Sequence, residues 1–524
     1  MKFVKLISII TAFALLFTFT GCKDKNDNST SLNGDAAIES SSSDYITLLY
    51  SASDTFNPYT VKTEINAQLT TLIYDSLIKL DDEFNPVNSI AKSVSVAGNV
   101  CTVELKNVSF SDGSALTSDD VIYSYNLAKK SGNKYASKLY EVKSVAKVSD
   151  TSLSFTLSKA DPYFANVLDF PILKSGSDKL TDSDSVLLPP IGSGRYKVSK
   201  DKLYLEQNKN YHGKKGKIKK INLVNSPDTE SVSHYVEIGV ANMYFSTVSD
   251  GEILRMSGNK TNVNLNNMIY LGVNHSIRDL YLSEMRQAIS TSINRKEICK
   301  NAYFNNATPA TGFFNPVWKP TKSVQNLQIE ANLKISVENL EKIGYNGLNS
   351  DGYRTKNGGS GLHYTLLVNS ENSMRVAAAN LIAEQLKKAG ISVTVIKRPY
   401  AQYLDMLAKG NFELYIGEVK IPENMDLTNL VTAGSSAAYG VSDYNIIKGD
   451  TENQAVVTIR DLINGFYSGK NSITDIATVL QTEMPIIPIC YRTGILFSNE
   501  KIENVKNSSY SDIYFSIESY SIKN

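Results

Sequence analysis

The chain has 524 residues, 42% hydrophobic and 20% charged, with 54 Lys and Arg against 53 Asp and Glu. A formal net charge of +1 leaves no basic domain able to neutralise a run of phosphates, which argues against a nucleic-acid partner. The mass beyond the N-terminal segment, about 480 residues, is too large for one hydrophobic core and implies two or three lobes.

In chain order, Lys2 and Lys5 precede an apolar run from Leu6 to Phe19 that ends in Thr20-Gly21-Cys22. A charged start, a short apolar stretch and small residues at the end make a secretory signal over residues 1–21, too short for a stable membrane span. Cys22 stands where bacterial lipoproteins are cut and lipidated, and the segment resembles that lipobox, with Phe19 where Leu is usual. On this reading Cys22 carries a thioether-linked diacylglycerol and an N-acyl chain such as palmitate, anchoring the protein outside the cytoplasmic membrane. Ordinary secretion with an unmodified Cys22 is the alternative. Residues 22–44 are rich in Asn, Ser, Asp, Gly and Lys, cannot bury enough surface to offset their ordering entropy, and are expected to form a flexible tether.

The fold is expected to begin at Tyr45–Tyr50, a buried strand. Ala67 to Leu77 reads as a helix with Leu69, Leu72, Ile73 and Leu77 on one face. Strands follow at Ser93–Val96, Val100–Lys106 and Ser152–Leu157, and between them Thr117 and Asp120 have the spacing of a capping box opening a helix. Gly192 to Val198 is a glycine-marked turn entering a strand, without the spacing of a phosphate loop. Lys209, Lys214, Lys215, Lys217, Lys219 and Lys220 read as a solvated connection between strands. Ile269 to Asn274 is a buried strand, and Ser283 caps a helix striped by Met285, Ala288, Ile289 and Ile293. A β-α-β-α-β unit closes the series: Tyr364–Val368, Arg375–Ala389 ended by Gly390, Ile391–Val395, Tyr400–Leu407 and Phe412–Gly417. Such alternation indicates mixed α/β lobes. Cys101, Cys299 and Cys490 lack any zinc spacing, and one disulfide among them stays open. Four scattered histidines give no metal cluster, so no metal or cofactor is expected.

Several segments, in order, resemble the family-5 extracytoplasmic solute-binding proteins, the oligopeptide, dipeptide and nickel group. Phe110-Ser-Asp-Gly-Ser-Ala-Leu-Thr-Ser-Asp-Asp-Val-Ile-Tyr-Ser124 is similar to that family's F-x-D-G-x-P-L-T-A-x-D-V-x-F-S. Ile73 to Asp81 resembles its early I-Y-E-x-L-x-x-x-D, and Ile191 to Val198 its P-x-G-T-G-P-Y-K-V, followed by Asn208 to Tyr211 for N-x-x-Y. Tyr270 to Asn274, Met285 to Ile298, Thr308-Pro309 and Leu340 to Tyr345 continue in register.

The resemblance implies an α/β, periplasmic-binding-protein-like clam-shell of class II type: two lobes with an extra inserted domain. Lobe I would comprise residues 45–74, 190–290 and 490–524, the inserted domain II residues 75–189, and lobe III residues 291–489. It further implies a monomeric receptor of an ABC importer that holds a peptide or other small solute between lobes and delivers it to membrane permease subunits. Site positions carried over are Ser51, Ser53, Asp54 and Phe56 after the first strand, and Ile416, Gly417, Glu418, Val419 and Lys420 with Asp426 after the β-α-β-α-β unit, with Asn274, Trp318 and Tyr439 as pocket walls. Peptide-binding members place an Asp for the peptide α-ammonium where this chain has Ile421 or Pro422. That leaves Glu418, Glu423 or Asp426 as substitutes, while Lys420 brings a like charge; a capped, acidic or non-peptide solute is the alternative cargo. A sensory lipoprotein of the same fold is a competing reading. A secreted hydrolase is a weaker one, since no Gly-x-Ser-x-Gly elbow or His-Glu-x-x-His pair is present.

Overall fold

The computed structural model describes residues 45–523 apart from 131, 254–256, 278, 328, 443–444 and 449–454. The signal segment, Cys22 and the tether lie outside the described residues.

The chain enters through β1 (Tyr45–Tyr50) and α1 (Glu64–Ile73). A four-stranded antiparallel sheet follows, made of β2 (Ala91–Ala97), β3 (Val100–Leu105), β4 (Val142–Ser149) and β5 (Ser152–Leu157), with α2 (Ser118–Ala128) between β3 and β4. Next come β6 (Tyr196–Val198), β7 (Tyr204–Gln207), β8 (Lys220–Asn225), β9 (Met243–Ser246) and the long β10 (Asn259–Val273). After α3 (Ser283–Ser292), the β-α-β-α-β unit is present as β11 (His363–Asn369), α4 (Ser373–Lys388), β12 (Ser392–Arg398), α5 (Tyr400–Ala408) and β13 (Leu414–Lys420). The chain crosses back along β14 (Ile487–Ser498).

One large mixed sheet runs β12-β11-β13-β10-β14-β9-β1-β8-β7-β6. Two strands span its middle. The first part of β10 pairs with the end of β14, Asn259 opposite Ser498 through Asn264 opposite Thr493; after a register shift, Met268 pairs with Tyr491 and Leu271 with Ile487. Residues 265–267 sit at that break, so the two halves of the sheet are joined by two strands with a discontinuity in their ladder. Such a place bends readily.

Buried side chains gather in three large cores. One lies between the four-stranded sheet and α2, with Val103, Val121, Phe155 and Phe170. A second lies under β1, β8 and α1, with Ile46, Leu69, Leu72 and Leu496. The third packs α3, α4 and α5 on β10, β11 and β13, with Ile269, Ile289, Leu366, Ile382 and Leu414. In words, this is a two-lobed α/β clam-shell with an additional four-stranded layer. Among the described residues no helix is long and apolar enough to cross a membrane.

Local chemistry accounts for most boundaries. The Thr117–Asp120 capping box is present, as the spacing predicts. Helix α4 ends before Gly390, which takes φ +81°. Its start differs from expectation: Asn372 caps it, accepting from Arg375 N at 3.0 Å. Ser283 is the first helical residue rather than the cap, which is Leu282. The helix expected to reach Leu77 stops at Ile73, because the Gly192–Gly194 turn seats on its end. Gly194 N donates to Ile73 O at 2.9 Å, and a Cβ on Gly194 would lie 2.4 Å from the Ile73 carbonyl carbon. Tyr74 is extended, and Ile78–Leu80 forms a short strand instead.

The lysine-rich connection before β8 is exposed at Lys209, Lys214, Lys215, Lys217 and Lys219, and Lys220, also exposed, opens β8 itself. Cys101, Cys299 and Cys490 are free thiols and buried, so the disulfide left open by the sequence is absent among them.

Candidate functional site

A cavity of about 330 Å³ opens where the three cores meet. Its walls come from α1 and the loop before it, from the loop after α2 (Lys134, Tyr135, Lys138), from the end of β13 and the segment after it (Lys420, Glu423), and from the C-terminal loop Tyr510, Ser511 and Asp512. That size falls in the range of small-solute sites.

The loop between β1 and α1 is held by two side chains. Asp54 accepts from Thr55 N (2.8 Å), Lys62 N (3.0 Å), Thr63 N (2.7 Å) and Thr63 Oγ1 (2.6 Å). Burial raises its carboxyl, but those bonds, led by Thr63, outweigh it and leave the pKa lowered. Asn66 accepts from Ser51 N at 2.8 Å and donates to Ser51 O at 2.9 Å. Ser53 is exposed, with its hydroxyl 3.0 Å from that of Ser51, and Phe56 is buried and stacked on Tyr50. These four positions, expected to touch solute, shape the loop that carries α1 and do not themselves line the cavity.

The end of β13 and the segment after it carry the acids expected to substitute for the missing Asp, and each is neutralised within the protein. Glu418 sits between Arg492 (2.6 Å) and Arg375, with Asn267 Nδ2 at 2.8 Å. Burial raises its carboxyl, yet Arg492 and Arg375 hold it below the usual range. Glu423 pairs with Lys138 (3.0 Å) and Lys420 (3.4 Å); against the upward push of burial, these cations bring it to about 2. Asp426 accepts from Thr428 N (2.9 Å) and Tyr140 Oη (3.3 Å) and pairs with Lys159 (3.3 Å). Lys420 itself lies over the Tyr510 ring, 4.9 Å from its centre, and of the residues carried over it is the one that reaches the cavity. Ile416 and Gly417 are buried strand positions. Gly417 is required there because a Cβ would lie 2.4 Å from the Tyr270 ring, while Val419 is half-buried.

Asn274, Trp318 and Tyr439, expected as pocket walls, lie elsewhere. Asn274 follows β10, seven residues beyond Asn267 and so about 23 Å along an extended chain, where it donates to Gly410 O and Phe412 O. Tyr439 packs at the same end, its N–H on Tyr415 Oη at 2.8 Å. Trp318 is buried edge-on to Tyr163 at 4.9 Å and tilted on Phe314. It belongs to an aromatic contact between the inserted layer and the third core, because Tyr163 also stacks on Phe466.

Polar bonds tie the same parts together. Asn166 Nδ2 donates to Glu423 O at 3.0 Å, and Asn424 Nδ2 to Asp161 Oδ2 at 2.7 Å. At the strand break, Asn264 donates to Asp82 O and Asn266 to the carbonyls of Ile421 and Pro422. Arg492 donates to Thr247 O, and α4 reaches the same turn through Asn372 to Ser249 O and Ser373 to Gly251 O. That turn contains Val248 at φ 54°, a left-handed conformation costly for a β-branched residue.

One of these contacts predicts a pH dependence. Burial pushes Asp161 up to about 6, more than the Asn424 bond pulls it back, and Asp426 raises it further against Lys159. Where docking supplies this burial, it takes up a proton and strengthens as pH falls from about 6 towards the ordinary carboxyl value. Solute affinity is expected to rise over that interval by at most about tenfold per pH unit. Titrations at pH 7.5, 6 and 5 with Asp161→Asn alongside check this: the dependence should vanish in the variant.

No group of three or more His, Cys, Asp or Glu suited to a metal is present among the described residues. The arrangement offers charged and hydrogen-bonding walls around an interlobe cavity. Glu64, Gln68, Lys134, Lys138 and Tyr510 are wall residues that carry no sequence motif; only tertiary structure brings them together.

A family model described as bacterial extracellular solute-binding proteins, family 5 middle, matches residues 85–439. The oligopeptide-binding protein AppA of Bacillus subtilis is 25% identical over 409 residues, covering 74% of this chain and 75% of its own. A dipeptide-binding protein of Lactococcus lactis subsp. cremoris is 24% identical over 398 residues, covering 66% and 70%. Among solved structures, Bacillus subtilis AppA in complex with a nonapeptide covers 92% of this chain and 99% of its own, with a TM-score of 0.57 and 20% identity. The periplasmic murein tripeptide-binding protein MppA, in an unliganded open form, covers 92% and 98% with a TM-score of 0.71 and 16% identity. The chain belongs to the bacterial extracellular solute-binding proteins of family 5.

Proposed function

We propose that this protein is the extracytoplasmic receptor of an ABC importer, non-enzymatic, that takes a peptide into the cavity between its lobes and presents it to a membrane permease. The observation that carries this reading is the cavity itself: its walls come from all three cores, and Glu423 on one side is paired with Lys138 on the other. A solute filling it would bridge the parts and shift an open–closed equilibrium by its differential affinity for the closed form. The division into residues 45–74, 190–290 and 490–524, residues 75–189, and residues 291–489 is the rigid-body scheme that goes with this mechanism. The peptide class draws support from the relatives named as oligopeptide- and dipeptide-binding proteins.

Native mass spectrometry of residues 45–524, purified without denaturation from rich medium, tests the cargo. Masses of mixed short peptides bound to the protein are expected; a single discrete non-peptide mass would overturn the peptide assignment.

The receptor is further proposed to be a lipoprotein, monomeric, held at the outer face of the cytoplasmic membrane through Cys22. Cys22→Ser should move the protein from the membrane fraction into the soluble extracytoplasmic fraction, because two acyl signals are needed for stable anchoring. Fractionation after metabolic labelling with a fatty acid checks it, and an unlabelled wild type would remove the anchor.

A further inference from the structure

Residues 197–220 hold nine lysines against two acids, Asp201 and Glu206, in a chain whose formal net charge is +1. Six of them, Lys209, Lys214, Lys215, Lys217, Lys219 and Lys220, are exposed, and among the described residues none has a carboxylate within ion-pair distance. The acids nearby are engaged. Glu206 pairs with Lys197 at 2.9 Å and Glu518 with Arg195 at 3.5 Å; Asp201 accepts from Ser199 Oγ and Leu203 N in its own hairpin, with Lys220 beyond pairing distance. The turn also draws ammonium groups together. Lys215 Nζ donates to Lys209 O at 2.6 Å, and Lys219 Nζ to Gly216 O at 3.1 Å and Gln207 Oε1 at 3.3 Å. Lys217 and Lys219 flank the fully buried Ile218 and both stay exposed. Crowded like charges repel, and the described residues supply no paired counter-charge to offset that.

Where the patch lies says what it faces. Tyr45 pairs with Lys220 in the parallel ladder of β1 and β8, so the lysines surround the point at which the chain enters the fold. Tyr45 is 45% exposed, an amphipathic ring of the kind enriched at membrane–water interfaces. Between Cys22 and Tyr45 lie 22 residues, which extend to at most about 80 Å. A bilayer anchor at Cys22 therefore confines the patch near lipid, and contact with that surface is intramolecular, needing little affinity of its own. Clustered lysines with an interfacial aromatic suit an anionic bilayer surface. The other end of the same two strands, Tyr50 and Asn225, lies about 17 Å away and leads into the loop before α1 and the cavity.

We propose that this lysine patch rests on the anionic phospholipid surface of the membrane to which the receptor is tethered, with the starts of β1 and β8 towards the lipid and the cavity end of those strands away from it. The inference rests on the reading of Cys22 as the anchor. It gives the lysines a role separate from solute binding: they set the posture in which the tethered receptor keeps its cavity open to the medium.

The test uses the full-length chain as purified from cells, reconstituted with vesicles of phosphatidylcholine alone or mixed equally with phosphatidylglycerol. A water-soluble acetylating reagent is read lysine by lysine by mass spectrometry. Lys209, Lys214, Lys215, Lys217 and Lys219 should react about tenfold more slowly on the mixed vesicles than on phosphatidylcholine. Lys334, 85% exposed on another helix, should react equally on both. Salt at about 0.5 M should remove the difference. With Lys214→Gln, Lys215→Gln, Lys217→Gln and Lys219→Gln combined, the remaining Lys209 should lose its protection, because each lysine near such a surface contributes about a fivefold factor. Equal reactivity on both vesicles, with the protein retained by both, overturns the patch and leaves the anchor standing. A chain that phosphatidylcholine vesicles fail to retain, while mixed vesicles retain and protect it, overturns the anchor and leaves the patch. Retention by neither overturns both.

Discussion

Replacing Arg195 with Met is expected to destabilise the fold by about 3–5 kcal/mol, the cost of removing one partner from a buried charge pair. Arg195 is 3% exposed and stands in the glycine turn that closes on α1. Its guanidinium donates to Asp512 Oδ2 at 2.7 Å, to Tyr514 O at 2.8 Å and to Thr71 O at 3.2 Å, with Glu518 at 3.5 Å. Without it, Lys79 at 3.4 Å is the cation left to Asp512 among the described residues, beside the Thr71 hydroxyl and Tyr514 N–H on its other oxygen, and Lys79 is shared with Asp75, which also holds His212 at 2.8 Å. Three segments distant in sequence, α1, the turn at 192–198 and the C-terminal loop, then lose the one guanidinium that bonds to two of them from the third, and keep only pairwise ties such as Thr71 Oγ1 to Asp512 and Gly194 N to Ile73 O. Denaturant unfolding of the variant should show the loss in the midpoint. Arg195→Lys should recover only part of it, because a single ammonium cannot reach the carboxylate and two carbonyls at once. A change below about 1 kcal/mol would mean that the neighbouring cations reorganise around Asp512.

The same position shows where sequence reading succeeds and where it stops. The turn Gly192 to Val198 is legible because glycines there have a local reason, close approach to the end of α1; the role of Arg195 within it depends on Asp512, 317 residues away. The β-α-β-α-β unit is legible because its alternation and its Gly390 stop are local. Only the last part of β10 is visible as a buried apolar run. Its first half, rich in Asn and Thr, looks like loop, and is a strand because β14 pairs with it. The site divides in the same way. A family resemblance points to the segment after β13, and Lys420 does reach the cavity. Glu64, however, lies before the helix that the sequence places from Ala67, and no pattern marks Lys134 or Lys138; the fold alone brings them to the cavity. Trp318 is conspicuous as the single Trp, but its burial against Tyr163 is a packing outcome that composition does not announce.

Lys138→Met should weaken solute binding by about tenfold to a hundredfold while leaving the three cores folded. Lys138 lies on the loop after α2, with its ammonium 2.9 Å from Asp169 and 3.0 Å from Glu423. The two carboxylates belong to different parts of the molecule. In the proposed rigid-body division Asp169 stays beside position 138 in either arrangement, and Glu423 arrives only with the segment after β13. Removing the ammonium therefore leaves two nearly buried carboxylates facing each other in the joined arrangement and apart in the separated one. The cost falls on closure. Lys420 compensates in part from 3.4 Å, and water and protonation relieve more, so a loss of about 1.4 to 3 kcal/mol is the expected remainder of a full broken-pair penalty. Binding that requires closure is weakened by the fraction of closed molecules lost. The double variant Lys138→Met with Glu423→Gln separates this from simple loss of a contact: by removing one of the two stranded charges it should regain much of the affinity. Scattering profiles with solute should likewise return to the compact form. If the single variant binds as the wild type does, the pair is a bystander of docking, and closure is carried by the aromatic contact of Tyr163 with Trp318 and Phe466.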